Sequence, residues 1–148
     1  PFMHGFTYGG NPLSCAVGLA VLEYVTNHRL VSRVESLERV LFEGLREIKE
    51  KHGVVGDVRG KGLMAGIEFV KDKRTKEIIP SYIRFGSSIV EQCFKNALLI
   101  YSGGPSIEGL AGDHIQVAPM LISKEEQVKE IVSITDRSIG EIEKKIKL

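Results

Sequence analysis

The stretch His4-Gly5-Phe6-Thr7-Tyr8-Gly9-Gly10-Asn11-Pro12 gathers groups that could grip an anion. Thr7 brings a hydroxyl, and the glycines leave backbone N–H groups sterically open. Asn11-Pro12 signals a helix start, whose N-terminal end carries partial positive charge. No Gly-Lys-Ser/Thr follows, so this is not a Walker loop. A glycine-rich turn feeding a buried helix explains the same residues, and on physics alone both readings stand. Arg59-Gly60-Lys61-Gly62 is a second basic, glycine-rich cluster. Two glycines in a hairpin connection answer a need for positive φ, so Arg59 and Lys61 read as solvated rather than catalytic.

The other reactive side chains give less. His4, His28, His52 and His114 share no metal-ligand spacing, so no metal site is expected. Cys15 and Cys93 form no CxxC pair and read as core thiols of a reducing, cytoplasmic setting. Glu125-Glu126 and Glu141/Glu143 fall at helix ends or solvated faces. Asp113-His114 reads as a strand entrance rather than a catalytic dyad. No residue of the chain is assigned a catalytic role.

These groups need a scaffold to position them. A helix from Pro12 to Thr26 is apolar nearly all round, so it belongs inside a larger body. Leu30, Val34, Leu37, Leu41, Leu45 and Ile48 repeat at the 3.6 period of a one-sided helix over Leu30–His52. That helix either bridges two lobes or lies along one. Val54–Arg59 and Leu63–Lys71 read as strands split by Gly60-Lys61-Gly62, and Asp72–Thr75 as a turn. A helix over Ser81–Asn96, a buried strand Leu98–Tyr101, a loop Ser102–Asp113 and a strand His114–Ala118 follow. A final helix opens with the capping-box pattern Ser123-Lys124-Glu125-Glu126. The expected class is α+β: a small, mostly antiparallel sheet covered by helices.

Composition narrows the function classes. Twenty basic against nineteen acidic residues leave a net charge of +1. That balance argues against a nucleic-acid or membrane-surface binder, and no apolar run reaches the roughly 20 residues of a membrane span. The opening Pro1 and the buried-looking first helix lead us to expect the tail of a longer polypeptide. The alternative is a free-standing α+β interaction module.

Three segments, in order, resemble class III pyridoxal-phosphate aminotransferases. His4–Ala16 is similar to their HG-x-T-[YF]-x-G-N-P segment. Val58-Arg59-Gly60-Lys61-Gly62-Leu63-Met64-Ala65-Gly66-Ile67-Glu68 is similar to the V-R-G-x-G-L hairpin. Asp113–Ile122 is similar to the final D-x-[IL]-x-[IVL]-[AS]-P-P strand, with Met120 in place of the second proline. The Gly103–Gly112 loop resembles the branch acting on ω-amino acids or amines with pyruvate.

The resemblance implies a fold type I enzyme that is a homodimer with pyridoxal phosphate at the subunit interface. It makes residues 1–29 the end of the large cofactor-binding domain, 30–53 a connecting helix and 54–148 the small C-terminal domain. Thr7 would hold the cofactor phosphate of the neighbouring subunit. Gln116 would help shape the substrate pocket where many relatives carry an arginine for the α-carboxylate; an amide cannot form that bidentate ion pair. The family's cofactor-linking lysine and pyridine-binding aspartate are expected before Pro1, leaving this piece inactive alone. The implied reaction moves an amino group from an amino acid or amine to a keto acid. A decarboxylase, aminomutase or racemase on the same scaffold is the alternative.

Overall fold

The structure, a computed structural model, describes residues 2–103 and 112–146. Helix α1 (Pro12–Asn27) begins as expected, with Asn11 Oδ1 accepting the Ser14 N–H at 3.1 Å. None of its residues is buried, and Leu13, Val17, Leu19, Val21 and Leu22 are all more than half exposed. The core begins at Leu30, the first residue of α2 (Leu30–Lys51). Leu30, Leu37, Leu41, Leu45 and Ile48 are buried, so the 3.6-residue stripe lies along a single core for the whole helix. Among the described residues, no helix is long and apolar enough to cross a membrane.

Strands β1 (Val55–Lys61), β2 (Met64–Asp72), β3 (Glu77–Ile78), β4 (Tyr101–Ser102) and β5 (Asp113–Val117) form an antiparallel sheet. The order is β1-β2-β5-β4, with β3 added to β2. Ala65, Ile67 and Phe69 of β2 and Ile115 and Val117 of β5 point into the core. They meet Leu41, Leu45 and Ile48 of α2, Phe85, Ile89 and Cys93 of α3 (Phe85–Lys95), and Val128, Ile139 and Ile142 of α4 (Glu125–Lys145). This is the expected α+β arrangement of a sheet with helices on one face.

Several local expectations shift. The hairpin turns at Gly62-Leu63, with Lys61 paired to Met64, rather than across Gly60–Gly62. Leu63 is buried in the core, which carries both strands past Gly60 before they turn. The helix expected from Ser81 is a 3-10 turn (Ser81–Ile83), then Arg84 in the left-handed region (φ 51), then α3 from Phe85. The break lets the start of α3 dock on the head of β5, where the Gly86 N–H reaches Asp113. Of the expected Leu98–Tyr101 strand only Tyr101 joins the ladder, with Ser102, expected in the following loop, beside it, because the α3 C-terminal cap occupies the chain before them. Helix α4 starts at Glu125. Gln127 Oε1 accepts the Lys124 N–H at 2.9 Å, while Ser123 is buried and its carbonyl accepts from Arg33 Nη2.

Candidate functional site

The N-terminal segment folds into a turn held by its own backbone. The Gly9 N–H donates to the Phe6 carbonyl at 2.9 Å, and the Asn11 N–H to the Tyr8 carbonyl at 3.1 Å. Gly10 has φ +79, which places a glycine where a side chain would strain the backbone. Thr7 lies at the head of this turn, exposed, four residues before the N-cap of α1. Among the described residues, neither its hydroxyl nor its backbone N–H contacts another part of the chain. No carboxylate occurs before Glu23.

The turn therefore presents donors in a segment that itself carries no carboxylate, at the positive end of a helix. That donor set fits a phosphate monoester such as the one pyridoxal phosphate carries.

Gln116 sits in the middle of β5, opposite Gly66 of β2 on one side and Tyr101 of β4 on the other. Alternation puts it on the sheet face away from the helices, half-buried, while Ile115 and Val117 are buried beneath it. Glu68 and His114 pair on that same face. Arg59 Nη1 bridges Glu68 Oε2 at 2.6 Å and Asp57 Oδ2 at 3.1 Å. Arg59 is thus tied into a charge network rather than free. Lys49 extends the network at 2.9 Å from Asp57, whose carboxyl it holds below the usual aspartate range.

Thr7 and Gln116 lie in separate parts of the chain, the turn before α1 and the centre of the sheet. The Asp113-His114 pair does not form a dyad. The Asp113 carboxylate accepts the Gly86 N–H at 2.9 Å, and His114 Nδ1 faces the Gly112 carbonyl at 3.1 Å. Residues 104–111 of the loop resembling the ω-amino acid branch lie outside the described residues.

One polar cluster escaped the sequence reading. His52 is buried at the end of α2, with Nδ1 against Glu143 and Nε2 2.8 Å from Asp136, both on α4. Glu143 is therefore half-buried and paired rather than solvated. Lys61 lies 3.5 Å from Glu38 at the surface, and Glu125 pairs with Lys129 one turn along α4.

The sequence matches the family model described as Aminotransferase class-III over residues 1–139. The chain belongs to that family. It is 35% identical over 145 residues to the uncharacterized aminotransferase YodT of Bacillus subtilis (strain 168), covering 98% of this chain and 33% of that protein. Gamma aminobutyrate transaminase 1, mitochondrial, of Solanum lycopersicum is 30% identical over 145 residues, with 98% and 26% coverage. The PMP-bound aminotransferase structure from Vibrio fluvialis superposes with a TM-score of 0.82 at 28% identity, over 96% of this chain and 29% of that one. The class III chain thus spans a third or less of the length of these relatives. Its sheet and helical cover are a partial domain of the transaminase fold, and enzymes of this class depend on pyridoxal phosphate.

Proposed function

We propose that this chain is the C-terminal portion of a pyridoxal-phosphate transaminase that moves an amino group from an amino acid or amine to a keto acid. The observation that carries the reading is the family match over residues 1–139, together with an exposed donor turn at Thr7. On this reading residues 1–29 close the large cofactor-binding domain, 30–53 connect, and 54–148 form the small domain. The first buried residue, Leu30, supports that boundary.

Thr7 donates its hydroxyl to the cofactor phosphate of the neighbouring subunit in a homodimer, and the turn holds that hydroxyl in place. An apolar helix with no buried residue supports such an assembly, because water is a poor solvent for it. Bound there, pyridoxal phosphate supplies an electron sink for the carbon that bears the amine. The residues of this chain bind and orient. Gln116 offers an amide to a polar substrate group on the open sheet face, and as a neutral side chain it favours donors that bring no α-carboxylate to that point. An ω-amino acid or amine donor fits this preference.

The two cysteines are unpaired, which supports a reducing, cytoplasmic compartment. Fractionation with cytosolic markers is the expected outcome, and recovery with an organelle would refute it.

The full-length enzyme containing this chain, loaded with cofactor, is expected to form alanine from pyruvate with at least one donor in a panel of ω-amino acids and amines. Cofactor binding with no alanine from any donor would favour a decarboxylase, aminomutase or racemase on the same scaffold.

A further inference from the structure

Asp113, the first residue of β5, is 2% exposed. Its Oδ2 accepts the Gly86 N–H at 2.9 Å in the first turn of α3. Its Oδ1 is buried and has no hydrogen-bond partner. The approach is so close that a Cβ on residue 86 would lie 2.4 Å from Oδ1. A side chain at residue 86 would therefore push the carboxyl from its place.

Of the charged groups around this carboxyl, His114 favours the carboxylate through its charge but makes no ring hydrogen bond to it. On β5, His114 turns Nδ1 to the Gly112 carbonyl. On β2, Glu68 is held by Arg59 at 2.6 Å. Arg84, directly before α3, forms no ion pair with Asp113, and neither does any other cation among the described residues.

We infer that Asp113 is a proton-binding latch, holding the head of β5 to α3 as a neutral carboxylic acid and loosening that junction when it ionises. Two effects compete. The Gly86 N–H, then the charge of His114 and the backbone N–H groups of Phe85 and His114, favour the carboxylate, whereas burial favours the acid, because an unpaired charge costs more to bury than an unpaired neutral group. Burial is the larger effect and pushes the Asp113 carboxyl up from its ordinary value. A carboxyl raised in the folded state binds more protons there than in the unfolded chain. Stability is then complete below the unfolded value and falls as pH rises toward the folded one. Gln116 lies three residues further along β5, so the protonation of Asp113 bears on the strand that presents it.

The test compares the chain with its Asp113→Asn variant by urea denaturation from acid to neutral pH. Asn keeps the shape and the acceptor for Gly86 but cannot ionise. The two are expected to be equally stable in acid, with the wild type losing ground to the variant as pH rises. A variant less stable at neutral pH, with a gap that closes on acidification, would overturn the latch. A gap indifferent to pH would overturn it too. The carboxyl carbon resonance of Asp113 in the wild-type chain answers the same question without a substitution. A titration midpoint shifted above that of ordinary aspartates supports the latch, and one at or below that value refutes it.

Discussion

The packing of α2 against α4 rests on a missing side chain. A Cβ on Gly44 would sit 2.5 Å from Val132 Cγ1 and 3.2 Å from Cγ2, well inside contact distance. Val132 cannot swing away cheaply, since a β-branched side chain in a helix has essentially one rotamer. Gly44→Ala gains about 0.5–1 kcal/mol of helix propensity. It loses about 1–3 kcal/mol to overpacking, so the net effect is a loss of roughly 0.5–2 kcal/mol. Val132→Ala removes two half-buried methyl groups, a cost of about 1 kcal/mol at roughly 0.8 kcal/mol per fully buried methylene. In the double variant the new methyl at 44 fills the space vacated at 132. Its stability should return to within about 0.5 kcal/mol of wild type, a coupling of at least about 1 kcal/mol. Urea denaturation followed by far-UV circular dichroism closes the cycle. Additive costs, or a stabilising Gly44→Ala, would refute the close docking of α2 on α4.

Other consequences can be measured in the same way. Gly60→Ala places a Cβ 2.0 Å from the Met64 carbonyl oxygen, a backbone clash no rotamer relieves. It should cost about 3 kcal/mol or more, and a variant as stable as wild type would contradict the β1–β2 register. His52→Ala leaves Asp136 and Glu143 without their shared partner and should lower stability by about 1–3 kcal/mol. A change under about 0.5 kcal/mol would show that the cluster is not formed. Asp57 is held below the usual aspartate range chiefly by Lys49, so its contribution is present above the unfolded value and lost as pH falls through the folded one. Asp57→Asn should flatten the acid limb of the stability profile, and an unchanged limb would contradict the pairing.

Local periodicity made α2 legible, because every one of its buried residues falls on the stripe read from spacing. Strands β1, β2 and β5 were likewise legible as segments, each within two residues of its ends. The ends of elements were harder to read. α3 closes with Ala97 at φ 65, with the Leu98 N–H reaching the Cys93 carbonyl at 2.8 Å, and alanine gives none of the signal a glycine would at that cap. Its start is set by Asp113, 27 residues away. The His52 cluster spans 84 and 91 residues, so no local window contains both sides of it. Thr7 stood out through its glycines and helix cap. Its exposure in a segment without carboxylates then showed that those donors are left uncommitted within the chain.

The central claim is that Thr7 grips the phosphate of pyridoxal phosphate. Its most direct test is the cofactor affinity of the full-length enzyme carrying Thr7→Ala, read by equilibrium titration. Losing a hydrogen bond to a charged group, worth about 1.5–3 kcal/mol, should weaken binding roughly 10- to 150-fold, with Thr7→Ser restoring most of it. Because the residue is exposed here, the unfolding midpoint of the small domain should not move. Unchanged cofactor affinity in the alanine variant would contradict the claim.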